Sequence, residues 1–250
     1  MAAKIVNLPG IPDPNIDQIL EEFLAEQRER LKSKTQKKYE EVIRLLREHL
    51  NGFAHEGLSE AESALFEKYY NAEEETHREF CQLFGPDKII ENLGSFLSFF
   101  MIRKVVAGAD LKRAAGTVMK KLSKWLVEKG HISDEAARQG EEEGGEAAQD
   151  LPRAERAAQI LCESVDNLSV DLEDLEEEDN LDFDHYTIAK VEPGKIWLEI
   201  VEHGEVKTLG PVPAPKRATE LLQSGWEISC ALGRIRGKWQ IVEMANVYPL

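Results

Sequence analysis

DEAARQGEEEGGEAAQDLPRAERAAQILCESVDNLSVDLEDLEEEDNLDFD, running from Asp134 to Asp184, decides how this chain divides. It holds nineteen Asp or Glu residues against Arg138, Arg153 and Arg156, a balance equal to the entire formal charge of −16. The residues before it carry 20 basic and 21 acidic side chains, and those after it 8 and 7, so an acidic divider separates two nearly neutral halves. With 250 residues, 42% of them hydrophobic, each half can bury a core of its own. The expected fold class is α+β in two domains: a helical bundle over residues 1–133, an acidic linker over 134–184, and a small SH3-like β-barrel over 185–250.

Within the divider, Gly140-Glu141-Glu142-Glu143-Gly144-Gly145 has the composition of a flexible charged linker. Leu151 to Val165 predicts one short amphipathic helix, starting near Asp150 with Pro152 in its first turn and presenting Ala157, Ile160, Leu161 and Val165. Asp171 to Asp184 reads as a solvated acidic tract, which lacks the glycine and terminal glutamate of an EF-hand loop. Two roles stand open for it: a hinge, or a segment that folds back on basic helices and competes with DNA.

Upstream, apolar residues return at three- and four-residue spacing from Ile16 to His131. Ile16, Ile19, Leu20, Phe23 and Leu24 open the pattern. Ser33 with Gln36 predicts a capping box for a second helix lined by Tyr39, Val42, Ile43, Leu46, Leu50 and Phe53. Ser59 with Glu62 predicts another for a third helix running towards Phe84. Pro86 suits the first turn of a fourth, Ile89 to Val106, apolar on nearly every side and so expected at the centre of the bundle. A fifth follows Asp110 and ends near Gly130, with Leu111, Ala115, Val118, Leu122 and Leu126 on one side and Arg113, Thr117, Lys120 and Lys124 on the other. Arg28 to Arg47 carries eight basic residues against three acidic, and Arg103 to Lys129 eight against two, so a neutral total conceals two basic helices. Brought together, their cations would suit phosphates; apart, they would serve only solubility.

The segment from Phe23 to Tyr39, FLAEQRERLKSKTQKKY, with Val42-Ile43-Arg44-Leu45-Leu46 after it, resembles the opening of the SAM-like core-binding domain of phage integrases, the tyrosine recombinases. Ser33, Thr35 and Tyr39 match that family's Ser-x-x-Thr-x-x-x-Tyr phrase with Ser33 shifted by one residue. Thr117, Leu122, Trp125, Leu126, Gly130 and Ile132 are similar to its late helix. The likeness covers roughly residues 15 to 132 and implies a small helical bundle that clamps duplex DNA; the acidic stretch from Glu60 to Glu79 departs from it. The resemblance brings no catalysis. None of the six histidines has arginine three residues later, and only Tyr186 and Tyr248 remain after residue 132.

After Asp184 the period becomes that of short strands: Tyr186 to Val191, Lys195 to Val201, Glu205 to Leu209, Trp226 to Ile235 and Trp239 to Val247, with a helical turn near Ala218 to Gln223. Arg234, Arg236 and Lys238 beside Trp239 form a second candidate contact, against the plainer reading of a polar hairpin with Trp239 in the core. Cys81, Cys162 and Cys230 are too scattered for a disulfide framework or zinc finger, and His77 with Cys81 lacks further ligands. No phosphate loop, dinucleotide fingerprint or membrane-length apolar run occurs.

These readings lead to a non-catalytic, cytoplasmic DNA-binding or DNA-associated protein without cofactor or metal. Its expected phosphate contacts are Lys34, Lys37, Lys38, Lys112, Arg113, Lys120 and Lys124. The alternative is a protein-interaction adaptor, in which the bundle is a scaffold and the barrel or the Leu151 to Val165 helix recruits a partner.

Overall fold

A computed structural model describes residues 11–166, 180–202 and 204–249; the leading segment before Ile11, the acidic residues 171–179 and His203 lie outside it. The chain forms two compact units. Residues up to Phe100 with Ala114–Glu146 make the first, and Met101–Arg113 with Ala147–Leu250 the second. Among the described residues, no helix is long and apolar enough to cross a membrane.

In the first unit, α1 (Ile16–Arg30) begins at Asn15, whose side chain accepts from the Gln18 backbone N–H at 3.0 Å while Gln18 accepts from the Asn15 N–H at 2.7 Å. That reciprocal pair satisfies donors the first helical turn leaves open. Helix α2 (Ser33–Phe53) lacks the expected box. Gln36 instead donates from Nε2 to the Arg28 carbonyl at 2.8 Å, stitching the start of α2 to the end of α1. Arg47 fastens the pair elsewhere, donating to Asp17 at 2.7 Å and Glu21 at 2.9 Å. The box at Ser59 forms, with the Ser59 N–H donating to Glu62 at 2.9 Å, but α3 (Glu60–Tyr70) stops well before Phe84. A short α4 (Phe80–Leu83) follows.

The apolar fourth segment is central but discontinuous. It runs through α5 (Asp87–Glu91), α6 (Leu93–Ser95), a π-helical turn over Phe96–Phe100, and α7 (Met101–Arg103). Ile89, Leu93 and Phe96 are all buried, as apolarity on every side requires. Helix α8 (Ala109–Glu128) matches the expected fifth helix. It closes at Gly130, φ +76°, where the Gly130 N–H donates to the Val127 carbonyl and the His131 N–H to Leu126, each at 2.9 Å. That left-handed closure suits glycine.

The divider departs most from expectation. Asp134–Asp166 is a single 33-residue helix, α9, that runs through the glycines read as linker and holds Pro152 in its interior rather than its first turn. Gly140 and Gly144 are both buried. A Cβ on Gly144 would lie 2.6 Å from the Lys120 nitrogen and 2.9 Å from the Gly116 carbonyl oxygen, and one on Gly140 would lie 2.9 Å from Ser123 Cβ. The glycines thus let two helix backbones meet, and packing overrides their low helix propensity.

The second unit is a five-stranded antiparallel sheet in the order β3-β2-β1-β4-β5: β1 (Asn180–Glu192), β2 (Lys195–Glu202), β3 (Glu205–Pro213), β4 (Glu227–Ile235) and β5 (Lys238–Tyr248). All five expected runs are strands, and β1 starts inside the divider, with Asn180 opposite Gly233. The helical turn α10 (Lys216–Thr219) comes slightly earlier than predicted. Ala154, Ala157, Ala158 and Leu161 of α9 share one buried cluster with Ile188, Leu198, Trp226 and Ile228 of the sheet unit. The expected amphipathic helix therefore exists as the end of a longer one.

His49, 1% exposed on α2, lies among Phe53, Phe96 and Phe100. Ser95 donates to the Asn92 carbonyl at 3.0 Å, so its oxygen accepts from His49 Nε2–H at 2.9 Å, and Nδ1 is buried without a partner among the described residues. Burial pushes the imidazole down to about 4. A base with a depressed folded pKa takes up a proton more readily when unfolded, so stability is complete above about 6.5 and falls as pH drops towards 4. In urea unfolding at pH 7 and pH 5, this site should remove about 2 kcal/mol at the lower pH, and the His49→Leu variant should show a correspondingly smaller loss.

The helix crossing makes a second prediction. Gly144→Ala should lower the unfolding free energy by about 1–3 kcal/mol, because the obstructing atoms are backbone. Gly52→Ala, on α2 with nothing within 4 Å of the added carbon, should leave it unchanged or raise it by about 0.5 kcal/mol. Equal effects of the two changes in chemical denaturation would contradict the packing account.

Candidate nucleic-acid interface

Three helices of the first unit converge on one aromatic node. Phe23 of α1 lies 6.1 Å from Tyr39 of α2 in a stacked arrangement and 5.5 Å from Trp125 of α8, edge to face. The Trp125 indole N–H donates to Glu26 at 2.8 Å, and Glu26 also accepts from the Lys129 ammonium, which lies 3.4 Å from Glu22. These two donors hold the Glu26 carboxyl below its usual range. The end of α1 is thereby fixed against α8.

Above that node opens a groove of about 270 Å³ lined by Gln27, Arg30 and Leu31 from the end of α1 and its cap, Tyr39 of α2, and Lys121, Lys124, Trp125 and Glu128 of α8. Three cations and one carboxylate face it. Lys124 lies 3.9 Å from Glu128, whereas Arg30 and Lys121 have no ion-pair partner among the described residues. Burial raises the Tyr39 phenol above its usual range, with the nearby Arg30 charge pulling the other way. The hydroxyl therefore stays protonated at neutral pH and available to donate.

Of the residues expected to touch phosphate, Lys34 and Lys37 are exposed on the first turns of α2, and Lys38 is half-buried beside them. Lys120 and Lys124 are exposed on α8 but serve different neighbours. Lys120 lies along α9, its ammonium 3.5 Å from where a Gly145 Cβ would stand, while Lys124 lines the groove. The single basic face expected of α8 is thus split.

Lys112 must be withdrawn from the set. It is 3% exposed and its ammonium is paired with Glu155 of α9, both in the second unit, so its charge is neutralised inside the protein. Arg113 belongs to the second unit as well, exposed and 3.7 Å from Asp110.

In the second unit, Arg234, Arg236 and Lys238 are exposed but not convergent. Arg236 (φ +50°) and Gly237 (φ +76°) form a two-residue hairpin turn, with Ile235 opposite Lys238 and Arg234 opposite Trp239. Directly paired residues project to the same face, so Arg234 and Lys238 point to opposite sides of the ribbon. Trp239 packs partly against the core, as the plainer reading anticipated.

Sequence reasoning missed Arg30, Lys121, Gln27 and Glu128. A signal was present: Lys121, Trp125 and Glu128 fall at i, i+4 and i+7 of one helix, so a stripe separate from Lys120 was legible. Arg30 gave no such sign, because its place depends on the tight passage from α1 to α2. Among the described residues, no group of three His, Cys, Asp or Glu side chains could hold a metal ion. Compared with known proteins, the chain matches no protein-family model, no curated protein and no solved structure.

Proposed function

We propose that the protein is a non-catalytic DNA-binding protein whose first unit grips duplex phosphates, through an integrase-like helical domain. The carrying observation is the groove, which gathers Arg30, Lys121 and Lys124 from α1 and α8 beside the start of α2, where Lys34, Lys37 and Lys38 lie. The two phrases that carry the integrase resemblance contribute Tyr39 and Trp125 to this same groove. Lysines on helix surfaces position a duplex without reading its bases, so the expected binding is weakly sequence-dependent. The five-stranded sheet fits an SH3-like barrel. Its part in this reading is a supporting contact through Arg234, Arg236 or Lys238.

A second reading, an adaptor, has one observation in its favour. Val201 and Val206 stand directly opposite each other near the tip of the β2–β3 hairpin and are 75% and 68% exposed. An apolar cross-strand pair in that position suits a protein partner.

Fluorescence anisotropy of a labelled duplex with the full chain at 50 and 200 mM salt separates the two. If about five phosphates are neutralised, affinity should fall by about 10²–10³-fold across that range. Lys34→Ala and Lys37→Ala should each reduce the salt slope by about 1. Absence of binding at low salt, or a slope unaffected by these changes, overturns the DNA reading. Loss of a protein partner from Val201→Lys with DNA binding absent would favour the adaptor.

A further inference from the structure

We infer that the groove between α1, α2 and α8 is a site for a single phosphate group, with the Tyr39 hydroxyl and the Gln27 amide as its directed donors and Arg30, Lys121 and Lys124 as its charge. This rests on the reading of the first unit as phosphate-binding and gives that reading a specific receptor.

Gln27 and Tyr39 are largely covered side chains whose polar ends remain open to the groove. Gln27 is 8% and Tyr39 7% exposed, and both line the groove. Neither side chain makes a hydrogen bond among the described residues. Tyr39 is held by its stack on Phe23, and Gln27 lies in the last turn of α1, where its carbonyl accepts from the Leu31 N–H at 3.0 Å. Two polar groups on largely covered side chains therefore open onto one hollow, where only solvent or a ligand can engage them.

The charges select the ligand. Three cations outweigh one carboxylate, so the hollow favours an anion and disfavours a metal ion. Trp125 and Lys129 are excluded as donors, since Glu26 engages both. What remains is five donor groups approaching from the end of α1, from α2 and from α8. A tetrahedral oxyanion with several acceptor oxygens meets that arrangement better than a planar carboxylate, and a guanidinium suits it by forked donation. The volume of about 270 Å³ lies below that typical for drug-sized ligands and admits one phosphate with its residual water. That phosphate can belong to a nucleic-acid backbone or to a small phosphorylated molecule, and the chemistry of recognition is the same.

The test uses the full chain at low ionic strength, titrated with inorganic phosphate while the Trp125 indole N–H resonance is followed by NMR. Its assignment comes from Trp125→Phe. The expected result is a saturable shift. Tyr39→Phe, which keeps the ring stack and removes only an unpaired hydroxyl, should weaken phosphate about tenfold, a typical loss for a hydrogen bond to a charged group. Gln27→Met should act similarly, and Lys121→Met with Lys124→Met should abolish the shift. No saturable shift, or wild-type affinity in both Tyr39→Phe and Gln27→Met with an unchanged unfolding midpoint, overturns the inference.

Repeating the series with duplex DNA assigns the source. If Tyr39→Phe weakens the duplex too, and phosphate competes with it, the occupant is a backbone phosphate. If phosphate binds through Tyr39 while duplex does not bind, the site stands and the DNA reading falls. If duplex binding depends on Lys34 and Lys37 but ignores Tyr39, and phosphate fails to bind, the DNA reading stands and the groove inference falls.

Discussion

The backbone contact between α8 and α9 is the constraint on which the first unit depends. Two helices normally keep their axes 8–10 Å apart because side chains stand between them. At Gly144 and Gly116 there is nothing to stand between, and a single added carbon would meet backbone atoms of Lys120 within 3.0 Å. The close approach lets an intrinsically poor helical sequence, rich in glutamate and glycine, remain helical through the position where a linker would otherwise begin. The cost of glycine in a helix is about 1 kcal/mol each. Close packing offsets it only while the partner helix is present, so the N-terminal half of α9 is helical because α8 is there.

That dependence changes the electrostatics of the unit. The acidic residues Glu141, Glu142, Glu143 and Glu146 belong to a helix packed beside α8, not to a freely moving tether. Lys120 extends along that helix at Gly145, while the Glu143 carboxylate lies beside Gly94. Lys121 and Lys124 line the groove beside the end of α1 and Tyr39 of α2. The basic face expected of α8 therefore has Lys120 beside an acidic helix and Lys124 at the groove.

Much of the fold was legible because periodicity records burial directly. The five strands, the helices around Tyr39 and Leu122, and the apolar face of Ala157, Ile160 and Leu161 were all signalled by side chains that must leave water. Gly140-Glu141-Glu142-Glu143-Gly144-Gly145 misled for a complementary reason. Glycine's role there is to admit another backbone, and composition cannot distinguish a glycine that permits contact from one that permits motion. Lys112 misled similarly. On a helical wheel it is one more cation, yet its ammonium is paired with Glu155, forty-three residues away in sequence and 21% exposed at the side chain. Long-range pairing of that kind leaves no local trace.

The groove joins these two lessons. Its floor was readable, since Phe23, Tyr39 and Trp125 are large apolar-bodied residues at helical spacing and had to be inside. The polar atoms proposed to bind phosphate were not. The Tyr39 hydroxyl and the Gln27 amide stand out only when their surroundings are known, because both belong to largely covered side chains that meet no protein partner among the described residues and open onto one hollow. A core packed for stability alone would satisfy such groups or replace them with apolar ones at little cost. Keeping both, at the mouth of a hollow ringed by cations, leaves donors whose acceptors must come from solvent or from a ligand. An anion supplies those acceptors together with the opposite charge, which water supplies only in part.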